Sequence, residues 1–217
     1  MTSEATIHVV DDDEAMRDSL VALLDARGYR TCAYASADEL LARGAALGFG
    51  CVVSDVRMPG TDGLALLRRL QSQGIALPLV LITGHGDIPL AVAAMKAGAV
   101  DFLEKPFEAD ALFDAVEEGL RRCTNSGPDG ESSEAARRLE VLTPRERAVL
   151  ERLVSGESNK EAAAKLGISH RTIEFHRAHI MEKTGSKALT DLVRLWLAAG
   201  SEGASEALPG MERQPRP

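Results

Sequence analysis

The chain has 217 residues, of which 45% are hydrophobic and 27% charged, and its formal net charge is −8 at pH 7. This composition is typical of a soluble globular protein with one large or two small domains. No apolar run reaches the ~20 residues that a membrane span needs, and we see no export signal. Three scattered cysteines argue against a disulfide framework or a zinc site. We therefore expect a cytoplasmic protein without a membrane partner.

The first part of the chain alternates short apolar segments with amphipathic ones. The segments expected to form strands are IHVV (7–10), RTCAY (30–34), CVVSD (51–55), PLVLIT (78–83) and VDFLE (100–104). Helical periodicity follows each of them, as in Met16, Leu20 and Leu24. Five strands alternating with five helices predict an α/β domain over residues 5–122, built on a doubly wound, parallel five-stranded sheet.

A change of composition at residue 123 separates a second module. Residues 123–140 begin with CTNSGPDGESS and predict a linker, whose last residues, SEAARRLE, fit a short helix. Residues 141–200 predict a small all-α domain of four helices, with capping boxes in TPRE and SNKE. Residues 201–217 are rich in Gly, Pro, Ser and acids, and predict a disordered tail.

Charge also divides unevenly between these modules. Acidic residues outnumber basic ones in residues 1–122, whereas basic residues outnumber acidic ones in residues 141–200. We therefore expect the two modules to have different partners, with nucleic acid suited to the second module only.

Polar residues stand at the carboxyl ends of the predicted strands. Asp11 and Asp12 follow the first strand, Asp55 ends the third, Thr83 ends the fourth and Lys105 follows the fifth. Parallel strands bring their carboxyl ends to one edge of the sheet, where ligands bind in open α/β folds. These five residues are therefore expected to share a cleft.

The expected cleft combines groups suited to phosphoryl transfer. Clustered carboxylates repel unless a cation joins them, and oxygen ligands without His or Cys favour Mg²⁺. A carboxylate can attack a phosphoryl group, while a metal, an ammonium and a hydroxyl neutralise the phosphoryl oxygens. Asp55 is then the candidate nucleophile, Asp11 and Asp12 hold the metal, and Lys105 and Thr83 contact the phosphoryl oxygens.

Each of these residues alone has a structural alternative. The run DDDE (11–14) fits a helix start with Asp13 as its N-cap. Thr83 fits a plain strand end, and Lys105 fits a solvated surface lysine. Their joint placement at one edge favours the functional interpretation.

The first domain resembles the CheY-like receiver domain of two-component response regulators. The matching segments are the acidic pair, SDVRMPGTDG around Asp55, ITGHGD, and VDFLEKPF. This resemblance implies that Asp55 accepts a phosphoryl group from a sensor histidine kinase. It also implies that the backbone carbonyl of Arg57 is a further metal ligand and that the Lys105–Pro106 bond is cis.

The same resemblance assigns a conformational switch to Thr83 and Phe102. The ring of Phe102 would turn inward when Thr83 moves toward the phosphoryl group, and a plain core phenylalanine is the alternative. The surface between Pro89 and Leu120 would then dimerise.

A helix–turn–helix is expected over Asn159–Lys183, with a glycine in its turn LGIS. The helix HRTIEFHRAHIMEKTG has the dimensions to enter a DNA major groove. Ile173 and Ile180 are expected to face the core. The outer face then consists of Arg171, Glu174, Phe175 and Ala178.

This basic helix has two alternatives to a DNA contact. It could be merely solvated, and His176 could be a structural hydrogen-bonding group. A metal site at His170, His176 and His179 is disfavoured because no Cys or carboxylate completes a tetrahedral set.

The second domain resembles the LuxR-type DNA-binding domain through LTPRE, NKE-AA-LGIS and RT-E-HR--I--K. Both domains together resemble the FixJ/NarL class of response regulators, and ITGHGD with AMKAGAVDFLEKPF points to its FixJ branch. Phe175 stands where a smaller aliphatic residue is more usual. The predicted DNA-binding residues are Lys160, Ser169, Arg171, Thr172, Glu174, Phe175, His176, Arg177 and Lys183.

These resemblances imply a transcription factor, not an enzyme, in which Mg²⁺-dependent phosphorylation of Asp55 drives dimerisation and sequence-specific DNA binding. The expected partners are a sensor histidine kinase, double-stranded DNA, RNA polymerase and, after phosphorylation, a second copy of the chain.

Three alternatives remain open. A phosphohydrolase of the haloacid dehalogenase type needs a second acid two residues after the nucleophile, where this chain has Arg57. A helical domain that docks a protein instead of DNA would lack salt-dependent DNA binding. A receiver that works unphosphorylated is the third alternative, although the chain retains every acceptor-site residue that such receivers tend to lose.

Overall fold

The computed structural model describes residues 5–84, 88–124 and 131–203. Its first unit is a five-stranded sheet in which all neighbouring strands are parallel, in the order β2-β1-β3-β4-β5. The strands are β1 (Thr6–Val10), β2 (Arg30–Tyr34), β3 (Gly50–Asp55), β4 (Leu79–Thr83) and β5 (Asp101–Glu104). The predicted doubly wound parallel sheet is confirmed.

Five α-helices follow the five strands. They are α1 (Glu14–Ala26), α2 (Ala37–Leu41), α3 (Gly63–Ser72), α4 (Ile88–Lys96) and α5 (Ala109–Thr124), with a short 3₁₀ turn (Gly44–Leu47) before β3. One apolar cluster lies between the sheet and α1 and α5. The other lies under α2, α3 and α4 and continues into the second unit. Helices on both faces of the sheet leave its carboxyl edge open for a site.

The second unit is helical. Its helices are α6 (Glu131–Glu140), α7 (Pro144–Val154), α8 (Asn159–Leu166), α9 (His170–Thr184) and α10 (Leu189–Gly203). The capping boxes expected at Thr143 and Ser158 both form, and Ser169 caps α9. Local start signals in the sequence therefore place three of these helices.

Two helices differ in extent from the sequence prediction. The α6 helix contains the short helix expected in SEAARRLE and begins two residues before it, and Ala135 and Leu139 are buried where α6 packs along α10. The α10 helix continues to Gly203, three residues into the predicted tail. The remaining linker residues 125–130 and tail residues 204–217 lie outside the described residues.

The helical unit packs against the α4–β5 side of the receiver-like sheet. Arg194 of α10 donates from Nη2 to the backbone carbonyl of Val100 at 2.7 Å and lies 3.4 Å from the Asp101 carboxylate. The turn between α7 and α8 approaches α4, where a Cβ placed on Gly156 would meet Val92 at 3.8 Å. The two units therefore share an interface.

No helix in the described parts of the chain combines the length and the apolar character that crossing a bilayer requires.

Strand β1 carries a buried histidine, His8. His8 is 3% exposed, and its Nε2 donates to the carbonyl of Leu47 at 3.1 Å. Its Nδ1 therefore accepts from the hydroxyl of Tyr34, also at 3.1 Å. Burial lowers the pKa of His8, and the charge of Arg43 acts in the same direction.

Acidification is therefore expected to destabilise this unit through His8. The folded state has the lower pKa, so the unfolded state binds the extra proton and stability falls as the pH drops below about 6.5. Urea unfolding followed by circular dichroism measures the free energy of unfolding at pH 7 and pH 5.5. This free energy should fall less in His8→Gln, which keeps a donor for the Leu47 carbonyl, than in the wild type. Equal losses in the two proteins would exclude His8 as the cause.

Candidate functional site

The carboxyl edge of the sheet brings two buried aspartates to one lysine. Lys105 Nζ lies 2.7 Å from Asp55 Oδ1 and 3.3 Å from Asp11 Oδ2. The backbone N–H of Arg57 donates to Asp55 Oδ2 at 2.6 Å, and that of Asp13 donates to Asp11 Oδ1 at 2.9 Å. Each carboxylate is thus fixed through both of its oxygens.

Strand register explains this convergence. In the parallel pairs, Val10 lies opposite Ser54, Asp55 opposite Ile82, and Thr83 opposite Glu104. The residues just beyond β1, β3 and β5 therefore reach the same edge, although Asp11 and Lys105 are 94 positions apart. The expected shared cleft is confirmed for Asp11, Asp55 and Lys105.

Burial and charge act against each other in this group. Burial raises the pKa of Asp11, and the nearby Asp55 charge adds to this, although the Asp13 N–H and Lys105 lower it. Burial alone would lower the pKa of Lys105, but hydrogen bonds and charges from Asp55 and then Asp11 outweigh it, so that pKa is raised. Lys105 therefore stays protonated beside the two carboxylates.

Thr83 and the proline turn complete this edge. Thr83 is fully buried at the end of β4, and its carbonyl accepts the Lys105 N–H at 2.7 Å. The Lys105–Pro106 peptide bond is cis, as expected. Thr83 and Lys105 are therefore held together by backbone as well as by sheet pairing.

The open side of the site is a cavity of about 890 Å³. Asp12 and Arg57 are exposed and line it together with Val56, Met58, Pro59, Asp62, Pro89 and Leu90. The cavity therefore opens at Asp12 and Val56, the residues that directly follow Asp11 and Asp55 in the chain.

The metal ligands expected at Asp11, Asp12, Asp55 and the Arg57 carbonyl lie on or beside this cavity. In the parts of the chain that are described, no three His, Cys, Asp or Glu side chains are grouped closely enough to hold a metal. Asp11 and Asp55 are instead joined through Lys105. The donor set still fits Mg²⁺, because two carboxylates share a single ammonium and all available donors are hard oxygens.

Phe102 occupies a boundary position. Its ring is buried in β5 and lines a cavity of about 680 Å³ between the two units, together with residues of α5, α6 and α10. A change in the orientation of the Phe102 ring would therefore alter the contact with the helical unit.

The faces of α9 are those expected from the sequence. Ile173 and Ile180 are fully buried, whereas Arg171, Glu174, Phe175 and Ala178 are all exposed. Basic Lys160 is also exposed, on α8. This outer face presents Arg171 and Lys160 beside the acidic Glu174, and it is available to a partner.

Aromatic contacts shape the middle of that outer face. Phe175 is 56% exposed, and its ring centre lies 4.1 Å from that of His179 and 6.0 Å from that of His176. Glu174 lies 3.6 Å from His170. A large apolar ring is therefore supported in an exposed position, where it can contact a thymine methyl group.

Other predicted DNA contacts have partners within the protein. Lys183 Nζ lies 2.8 Å from Glu146, a buried carboxylate of the first capping box. The hydroxyls of Ser169 and Thr172 lie 2.8 Å apart. Arg177 is half-buried. The contacts of Lys183, Ser169 and Thr172 hold α9 in place. For Lys183, the sequence did not distinguish this role from DNA binding.

Several residues of functional interest were not identified from the sequence. Arg194 joins the two units, and Asp38 contacts the loop after β3 through Thr61 and α3 through Arg69. Asp38 lies in the first turn of a helix, a position that acids favour in any protein, so no local pattern marks its contact.

Comparison with protein families finds two matches. Residues 7–117 match the response regulator receiver domain, and residues 140–196 match the bacterial regulatory proteins of the luxR family.

Full-length relatives share both regions. The chain is 49% identical over 201 residues to the transcriptional regulatory protein FixJ of Bradyrhizobium diazoefficiens, covering 92% of this chain and 98% of the relative. It is 39% identical to the C4-dicarboxylate transport regulator DctR of Rhodobacter capsulatus, covering 88% and 98%. The crystal structure of full-length FixJ from B. japonicum is similar with a TM-score of 0.53 at 48% identity, covering 92% of this chain and 99% of that one.

Proposed function

Because this chain belongs to the FixJ-like response regulators, transcription factors that join a receiver domain to a LuxR-type DNA-binding domain, we propose that phosphorylation of Asp55 switches its binding to DNA. A receiver domain implies a histidine kinase as partner, and a LuxR-type domain implies DNA. The observation that carries the proposal is Asp55 at the open sheet edge, 2.7 Å from Lys105.

The proposed reaction is transfer from a kinase phosphohistidine. An Asp55 oxygen attacks phosphorus, the N–P bond breaks, and the imidazole leaves with the bonding electron pair. Lys105 lies beside Asp55 to neutralise a phosphoryl oxygen, and Thr83 donates to another. The products are the aspartyl phosphate at Asp55 and the free histidine of the kinase.

Receiver domains in general use Mg²⁺ at the phosphorylation site, and buried aspartates are present here. In this chain Asp11, Asp12, Asp55 and the carbonyl of Arg57 would hold the ion. When bound, Mg²⁺ supplies positive charge to the phosphoryl oxygens. The residues of the chain then need only orient Asp55 and keep Lys105 protonated.

The proposed output is a homodimer on two DNA half-sites. Helix α10 and Arg194 cover part of the α4–β5 surface, so the same surface cannot pair with a second receiver domain at the same time. Phosphorylation at Asp55, acting through Thr83 and Phe102, would favour the dimer over this internal contact. The dimer would recruit RNA polymerase in the cytoplasm, an environment consistent with three free cysteines.

Removing Arg194 should therefore raise the DNA affinity of the unphosphorylated protein. Arg194→Ala loses a charged hydrogen bond across the interface, worth about 1 kcal/mol at a partly exposed site, which corresponds to roughly a fivefold rise. Fluorescence anisotropy with labelled operator DNA measures it. Arg137→Ala, on the exposed face of α6, controls for lost charge. If Arg194→Ala bound DNA with the affinity of the wild type, the proposed competition between the internal contact and the DNA-bound dimer would be wrong.

Selection of bound fragments from random duplex DNA tests the function as a whole. The full-length protein is used with and without acetyl phosphate and Mg²⁺, and at two salt concentrations. We expect a two-fold symmetric site, enriched more strongly with the donor, and salt-dependent affinity. Recovery of no sequence under either condition would favour a protein-docking role for the helical domain.

A further inference from the structure

Three polar residues join α2 to the loop that leaves β3. Thr61 donates from Oγ1 to Asp38 Oδ1 at 2.9 Å, and Arg69 of α3 donates from Nη1 to the same oxygen at 2.9 Å. Thr61 is only 6% exposed, whereas 63% of the Asp38 side chain is exposed. We call Asp38, Thr61 and Arg69 the Asp38 clasp.

The loop held by the Asp38 clasp is the one that follows the phosphoacceptor. Its backbone hydrogen bonds lie at its ends, where Val56 N–H donates to Ile82 and Gly63 N–H donates to Val56. Between these ends, Thr61 reaches Asp38 through its side chain. Gly60, at a φ of +78°, brings the backbone over the carboxylate, where a Cβ would lie 3.8 Å from Asp38 Oδ2.

The near end of this loop orients Asp55. The Arg57 N–H donates to Asp55 Oδ2 at 2.6 Å, and Arg57 lines the open cavity. Any shift of the loop therefore changes the geometry of the carboxylate and the direction of the Arg57 carbonyl.

We propose that Asp38 is a positioning residue for phosphoryl transfer, which acts by holding Thr61 and so fixing the loop that carries Arg57. This inference rests on the proposed function of Asp55. The exposed Asp38–Arg69 pair contributes little to stability, because water screens such pairs. The buried Thr61 hydroxyl is different, because without its acceptor the loop must move to hydrate it.

Variants of the full-length protein separate positioning from stability. Asp38→Ala and Thr61→Val each break the clasp at one end. Asp38→Asn keeps an oxygen that accepts from Thr61, and Arg69→Ala removes only the exposed partner. The rate of phosphorylation by acetyl phosphate is measured against Mg²⁺ concentration, and Mg²⁺ binding without donor is measured by calorimetry.

Breaking the clasp should raise the half-saturating Mg²⁺ concentration about 10-fold, as loss of outer-sphere support does at other metal sites. The maximal rate should change less, and Asp38→Asn and Arg69→Ala should remain close to the wild type. Without Mg²⁺, the NMR signal of the Arg57 amide should shift in Asp38→Ala and not in Asp38→Asn.

Two results would overturn the positioning role. One is an unchanged Mg²⁺ response and Arg57 amide in Asp38→Ala. The other is a fall in melting temperature in all four variants with no selective change in Mg²⁺ dependence. If the wild type itself gains no phosphoryl group, the proposed function fails instead, and the Arg57 amide, which is measured without donor, still decides the role of the clasp.

Discussion

Asp55→Asn is expected to abolish phosphorylation and leave DNA affinity at its resting level. The amide retains the shape of the side chain but has no anionic oxygen to attack phosphorus. In the variant Lys105 still has Asp11 as an ion-pair partner, so its ammonium is not left unpaired. Intact-mass spectrometry after incubation with acetyl phosphate and Mg²⁺ measures the gain of one phosphoryl group by the wild type and its absence in the variant.

The same samples report the coupling to DNA. A switch of this kind changes affinity by about 5- to 150-fold, so the wild type should bind its operator correspondingly more tightly after phosphorylation. Asp18→Asn, at an exposed aspartate of α1, is the matched control and should behave as the wild type. A phosphorylated Asp55→Asn protein would place the acceptor elsewhere.

Much of the fold was predictable because its signals are local. Strand segments such as CVVSD are fully buried and begin with apolar residues, and Thr143, Ser158 and Ser169 carry cap chemistry that marks helix starts. The convergence of Asp11, Asp55 and Lys105 followed from one topological rule about parallel strands. These features need no knowledge of how side chains pack.

What could not be predicted depends on contacts between distant segments. A short helix was expected in SEAARRLE, but its packing against α10, almost 60 positions later, could not be predicted from the sequence. The sequence alone suggests that Lys183 contacts a phosphate, whereas in the structure Lys183 pairs with Glu146. Arg194 and Asp38 are important because they contact residues on other elements, and the periodicity of a sequence does not indicate such contacts.

Glu146→Ala is expected to destabilise the DNA-binding domain by about 2–4 kcal/mol, because it removes a capping box and one partner of a largely buried ion pair. Glu146 is 4% exposed, accepts from the N–H and hydroxyl of Thr143 at 2.8 Å each, and lies 2.8 Å from Lys183. Trp196, the single tryptophan, lies on α10, so its fluorescence follows unfolding of this unit in urea.

Glu161→Ala is the matched control, because Glu161 completes the same kind of capping box at Ser158 on an exposed surface. Glu161→Ala should lower the free energy of unfolding clearly less than Glu146→Ala does. Equal losses in the two variants would show that the ion pair with Lys183 contributes no stability.

The hydrogen bond from Lys183, with those from Thr143, lowers the pKa of Glu146 to about 2. The unfolded pKa is higher, so the contribution of Glu146 is complete above about pH 4.5 and is lost as the pH falls toward 2. The difference in stability between wild type and Glu146→Ala should therefore shrink on acidification, and a difference independent of pH would assign the loss to packing alone.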